Sequence, residues 1–240
     1  MVLALLFACS NSFAQPRLVI HVTGGYSLPL PDLAGTYPDD VTKDPVPLFM
    51  KNGYNFGADG KFYVDKKMRS FGITLSLAYL GFSTGDIGPD TLTYSSTFNS
   101  FTAGLGVEYK FLTKKKAQPF VGAEFTGNFL NGKTTPSSGG TEVSMKSTSR
   151  FGLAFGAGVD ININKNVGIV VGGKYALLNL IGKKDPTDEP FTLGSTEIPL
   201  WDKEYTDAGG TTVSAKNLSY LQFYAGVSFY LMQPKTRMRK

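Results

Sequence analysis

Residues Phe151 to Leu177 read FGLAFGAGVDINI, then Asn164-Lys165-Asn166, then VGIVVGGKYAL. In the first arm Phe151, Leu153, Phe155, Ala157, Val159, Ile161 and Ile163 take every second position. Glycine, alanine, Asp160 and Asn162 fill the places between. After the turn Val167, Ile169, Val171, Gly173, Tyr175 and Leu177 alternate with Gly168, Val170, Gly172, Lys174 and Ala176. Strand side chains point alternately to opposite faces, so a sustained period of two predicts a β-hairpin. Soluble strands usually run about 5–6 residues, whereas a tilted strand needs about 9–11 to cross the apolar core of a bilayer. An aromatic, uncharged face opposite a small and occasionally charged one suits lipid outside and a narrow lumen inside. A lone hairpin has two unpaired edges that lipid cannot satisfy, so the stretch demands further strands and a closed ring.

The same alternation recurs in Arg17 to Leu28, Gly53 to Asp65, Phe71 to Tyr79, Phe101 to Phe111, Val121 to Phe129 and Leu221 to Leu231. Pro29 and Pro31 end the first of these, because proline cannot donate to a ladder. The fold class is therefore predicted as all-β, an eight-stranded antiparallel up-and-down transmembrane β-barrel. Polar segments run to Asn52 after the first strand, from Ser83 to Phe98, from Asn131 to Ser149 and from Lys183 to Lys216, and they predict four long loops. Lys66-Lys67-Met68-Arg69, Thr113 to Gln118 and Asn164 to Asn166 predict short turns. Alternating connections put the long loops on one rim and the turns, with both termini, on the other. Outer-membrane barrels keep short turns and termini periplasmic.

Residues 1–14 read as a signal peptide, 15–232 as the barrel and 233–240 as a basic tail. Leu3 to Ala8 is a short apolar core, and Ser12-Phe13-Ala14 resembles a cleavage site. Cys9 is the one cysteine of the 240 residues. Phe7, two positions before it, argues against a lipid-attachment box, so simple cleavage is favoured and leaves no disulfide. No run of about 18 apolar residues exists, which excludes a transmembrane helix. The net charge of +5 hides a polarity. Turns and tail hold Lys66, Lys67, Arg69, Lys114 to Lys116, Lys235 and Arg237, whereas the loops hold Asp39, Asp40, Asp86, Asp90, Asp185, Asp188, Glu189, Asp202, Glu204 and Asp207.

The stretches Gly24-Gly25-Tyr26-Ser27-Leu28-Pro29 and Gly226-Val227-Ser228-Phe229-Tyr230-Leu231 resemble the family of small bacterial outer membrane protein beta-barrel domains, porin-like, of the OmpX and OmpA membrane-domain type. The resemblance spans about Pro16 to Met232. It implies residence in the outer membrane of a Gram-negative-type envelope. It also implies that the final strand is shown to the insertion machinery during assembly.

Chemistry is sparse. Glycine-rich runs such as Gly152 to Gly158 lie on strands and open no helix, so they cradle no phosphate. One histidine and one cysteine make a zinc site unsupported. No cofactor, metal site, catalytic residue or nucleic-acid partner is expected. The polar set predicted to face the lumen is His21, Asp59, Lys61, Glu108, Lys110, Glu124, Asp160 and Lys174. Charges in so narrow a space are costly unless paired. The set reads as a salt-bridged plug, with Glu108 beside or nearly opposite Glu124 and Lys61, Lys110 or Lys174 in reach. The expected protein is a non-enzymatic monomer whose partners are outer-membrane lipid and an unknown ligand of its surface loops. The alternative reading is a narrow channel or transporter for small solutes. A soluble lipid-binding barrel is a further alternative, disfavoured because it would carry its charged face outward.

Overall fold

Period-two alternation runs the length of eight strands in the computed structural model, which describes residues 17–35, 49–65, 70–84, 94–113, 115–136, 141–190, 195–207 and 209–231. The predicted signal segment, the Lys66–Arg69 turn and the basic tail lie outside these residues. The barrel strands are β1 (Arg17–Pro29), β2 (Asn52–Tyr63), β3 (Phe71–Ser83), β4 (Tyr94–Lys110), β5 (Ala117–Pro136), β6 (Val143–Asn162), β7 (Val167–Ile181) and β11 (Ser219–Leu231). One helical turn, α1 (Pro31–Ala34), follows β1, with proline where the missing N–H costs nothing. Three two-residue strands lie between β7 and β11: β8 (Glu197–Ile198), β9 (Tyr205–Thr206) and β10 (Thr212–Val213).

Each barrel strand pairs antiparallel with its sequence neighbours, and β11 closes the ring on β1 with Val22 opposite Val227. Closure leaves no edge of the ring facing lipid. Outward side chains are apolar and bare, Phe56 at 62% exposure and Leu105 at 61%. Inward ones are polar and buried, Lys110 at 1% and Asp160 at 0%. This is the reverse of a soluble barrel and answers to lipid as the outer solvent.

The polarity then inverts along the strands. Tyr79, Phe101 and Phe129 form one outward row across β3, β4 and β5. Two residues further toward the loops, the outward places are taken by Asn99 and Asn131, whose amides hydrogen-bond each other at 3.2 Å. Over the same distance the lumen changes from Ala78, Thr102 and Asn128 to Leu80 and Leu130, and then to Phe82 and Phe98. These bury with Leu33 and Met50 of the first loop and Leu200 and Leu218 of the last in a single apolar cluster. Above the aromatic row the wall is built like a water-soluble barrel, because water replaces lipid outside.

That inversion corrects the predicted loops. The β3–β4 connection shrinks to residues 84–93 and the β5–β6 connection to 137–142, where polar loops from Ser83 to Phe98 and Asn131 to Ser149 are expected from sequence. Their hydrogen-bonded ladder continues because Phe98, Leu130 and Met145 bury inward while serines, threonines and Lys133 face water. β2 stops at Tyr63 rather than Asp65, and β4 at Lys110 rather than Phe111. A bulge sets Phe151 opposite Ile181 but Leu153 opposite Leu177, and it turns both Leu178 and Asn179 into the interior.

Candidate functional site

The lumen is the first place to look, since alternation delivers all eight predicted polar residues to it. Lys110 of β4 donates to Asp160 Oδ2 of β6 at 2.8 Å. Asp160 Oδ1 also accepts from Ser228 Oγ at 2.9 Å and from the Tyr230 hydroxyl. Lys61 of β2 donates to Glu108 of β4, whose other oxygen accepts from the Tyr63 hydroxyl. Lys61 Nζ also lies 3.6 Å from Asp59 and 4.2 Å from the Phe120 ring centroid, so its charge is met by carboxylates and an aromatic face. His21 of β1 stands between two carboxylates, with Nδ1 3.3 Å from Asp59 and Nε2 3.8 Å from Asp160. Lys174 of β7 donates to Glu124 of β5 at 3.0 Å, and Ser76 Oγ donates to the same carboxylate oxygen at 3.0 Å.

Glu108 and Glu124 are diagonal neighbours across the β4–β5 ladder, beside each other as expected and not directly opposite. Register sets Glu108 opposite Gly122 and Glu124 opposite Gly106, so each acid has its own lysine. Gly104 makes room for the second of these pairs. A Cβ there would lie 2.4 Å from Ser76 Oγ and 3.0 Å from Glu124 Oε2. Toward the turn side the lumen is filled by Val19, Tyr63 and Tyr230. Toward the loops a cavity of about 60 Å³ separates the charges from the apolar cluster, with Thr74 Oγ1 on its wall lacking a hydrogen-bond partner. Among the described residues no three His, Cys, Asp or Glu side chains converge as metal ligands.

A second polar centre was not legible from spacing. Arg150 and Asp202 form an ion pair whose side chains are both 0% exposed. Asp202 counted as a surface-loop acid on sequence; the structure buries it at the barrel mouth. Arg150 Nε donates to its Oδ2 at 3.0 Å and Nη2 to its Oδ1 at 2.9 Å, the two-pronged geometry that suits guanidinium and carboxylate. Asn179 Nδ2 donates to Asp202 Oδ2 at 2.8 Å, from the place where the β7 bulge turns it inward. The one sequence clue is that Arg150 continues the inward series Ala154, Gly152 on β6, where a solvent-facing arginine would break the alternation.

Outside the barrel mouth the last loop carries a ridge of paired charges. The Lys203 ammonium lies 2.7 Å from Asp185 and holds that carboxyl below its ordinary range, helped by the Asp188 and Thr187 amides. Burial opposes ionisation of Glu189, but hydrogen bonds from Lys146 and Lys184 outweigh it and lower its pKa. The indole of Trp201 donates to the Glu189 carbonyl at 2.9 Å and packs edge-on to Tyr205. The arrangement offers an ion-paired polar surface above a filled lumen.

Neisserial surface protein A (NspA) aligns with a TM-score of 0.47 and 15% identity, over 88% of this chain and 96% of that one. Ail, the attachment invasion locus protein of Yersinia pestis, solved with the heparin analogue sucrose octasulfate, aligns at 0.46 and 14%, over 90% and 99%. OprG of Pseudomonas aeruginosa aligns at 0.46 and 11%, over 91% and 97%. No curated protein sequence matches the chain. Residues 1–196 match the outer membrane protein beta-barrel domain, and the chain belongs to that family.

Proposed function

We propose that this outer-membrane barrel is a non-enzymatic surface protein, a sealed anchor that holds a structured loop platform for binding at the cell exterior. Its termini and short turns then face the periplasm, a reading supported by the two longest connections, 30–51 and 182–218, which share the opposite rim. The observation that carries the reading is the filled lumen. Paired charges occupy the middle, and an apolar cluster drawn from strands and loops lies above them. Eight strands enclose a space just wide enough for side chains to fill, so no bore remains for a solute stream. The long last loop carries buried anchors, an aromatic pair and several ion pairs, which suits a preformed binding surface.

Planar-bilayer recording of the purified protein tests this. The expected trace lacks stable large-conductance steps. Reproducible steps altered by Glu108→Gln or Glu124→Gln would favour the narrow-channel reading instead. That reading draws on the cavity of about 60 Å³ and its unpartnered Thr74 hydroxyl.

A further inference from the structure

Three separate pieces of the last loop meet at the Arg150–Asp202 pair. Lys184 donates its backbone N–H to Asp202 Oδ1 at 2.9 Å, and Asp202 and Lys203 return their N–H groups to the Lys184 carbonyl at 3.0 Å. Arg150 Nη2 also donates to the Leu200 carbonyl at 3.2 Å. Lys216 donates its N–H to the Asp202 carbonyl at 3.0 Å, and Asn179 takes the Leu218 N–H at 2.8 Å on its side-chain oxygen. The remaining Arg150 nitrogen, Nη1, is spent on Thr148 Oγ1 and the Ser149 carbonyl of its own strand. Every nitrogen of this buried guanidinium therefore has a partner, and the loop partners all belong to one connection. The first loop joins the same layer, since Asn217 donates its N–H to Asp32 Oδ2 at 2.6 Å.

Leu200 and Leu218, the apolar residues beside these bonds, are 1% and 0% exposed and lie in the cluster that closes the mouth over Phe82, Phe98 and Leu130. We propose that the last loop, residues 182–190, 195–207 and 209–218, is a folded lid over the lumen, latched to the wall by Arg150 and Asp202. The latch is a two-state element of known chemistry. With both partners present every polar group is met. With one removed the other is a buried, unmatched charge that draws water into the mouth. Opening the lid exposes the cavity beneath it and breaks the Ser144–Thr196 and Leu178–Leu218 backbone bonds that tie the lid to the wall, while the ladders between the eight barrel strands stay paired. The proposal rests on the reading that the lumen is sealed and adds what seals it.

The test uses the full-length protein in the outer membrane of intact cells, carrying Ala78→Cys on the cavity wall and Cys9→Ser. A membrane-impermeant thiol reagent is added outside, and labelling is measured on the purified protein. With the latch intact, labelling should be slow. Asp202→Asn should accelerate it on the order of a hundredfold, as follows from stranding one partner of a buried ion pair. The double change Arg150→Met with Asp202→Leu, which leaves no stranded charge, should return it toward the slow rate. Hydrogen exchange of Asp202→Asn should rise at the Lys184, Lys216 and Leu218 amides and stay unchanged at Val171 and Leu105. Fast labelling before any latch change would overturn the sealed lumen itself. Slow labelling in both backgrounds would overturn the latch alone, and so would exchange that rises equally through the mid-membrane ladder.

Discussion

At the scale of single residues, burial decides which ion pair matters. Lys174 and Glu124 keep 23% and 14% of their side chains exposed, whereas Lys110 and Asp160 keep 1% and 0%. Glu124→Gln should lower unfolding stability by about 1.5–3 kcal/mol, the range for hydrogen bonds to charged groups, with partial recovery on adding Lys174→Met. Asp160→Asn should cost about 3–5 kcal/mol, since it strands the Lys110 charge in the lumen. Urea titrations in lipid vesicles measure both, and equal costs would contradict the burial ranking. The loop charges respond to pH with a defined sign. Asp185 titrates below its ordinary 3.8 when folded, so its contribution is present above that pH and fades as pH falls through the lower folded value. Lys203 titrates above 10.5, so its share is complete below that pH and is lost as pH rises through the higher folded value. The Thr187 and Asp188 amides donate to Asp185 at 2.9 and 3.0 Å and report its charge. Their NMR shifts should hold steady from pH 7 to about 4 and move only at lower pH. A midpoint above 3.8 would contradict the pairing with Lys203.

At the scale of elements, each long strand serves two solvents. Leu105 and Ser83 both point outward, one at mid-membrane and the other beyond the aromatic row. Leu105→Arg should destabilise by about 2–4 kcal/mol, the cost of arginine facing the bilayer midplane. Ser83→Arg, in water, should stay within about 0.5 kcal/mol. Comparable losses in unfolding titrations would mean that the polarity inversion is misplaced. The outward aromatics also pair with one another, as in the stacked Phe125 and Phe151 rings 5.7 Å apart. Such contacts hold the lipid face of neighbouring strands together where no hydrophobic effect acts between them.

At the scale of the whole molecule, closure makes the ring resist dissolution. Every backbone ladder of the eight barrel strands is paired on both sides, and lipid or detergent supplies the outer solvent. The protein diluted from urea should fold into micelles or vesicles with β-type circular dichroism. Unboiled samples should migrate apart from boiled ones on electrophoresis. A well-folded monomer in plain buffer would contradict a membrane barrel, because Phe56, Leu105 and their neighbours would be left in water.

Alternation, strand number and closure could all be read from the chain alone, whereas the sorting of connections by length held fully only for the first and last loops. The first three follow from a period of two and the demand for paired edges, and both are properties of local backbone geometry. The inward placement of His21, Asp59, Lys61, Glu108, Lys110, Glu124, Asp160 and Lys174 followed from the same period. Which of them meet did not. Glu108 finds Lys61 across 47 residues, and Lys110 finds Asp160 across 50, because register and strand stagger are settled only when the ring closes. The strand extensions past Tyr79 and Phe129 were hidden for a different reason. Their faces exchange polarity where lipid gives way to water, so a pattern keyed to one solvent reads them as loop. Arg150 and Asp202 lie 52 residues apart and are joined by a bulge and a returning loop. Such a contact has no local period to announce it, and only the folded mouth of the barrel brings the two charges together.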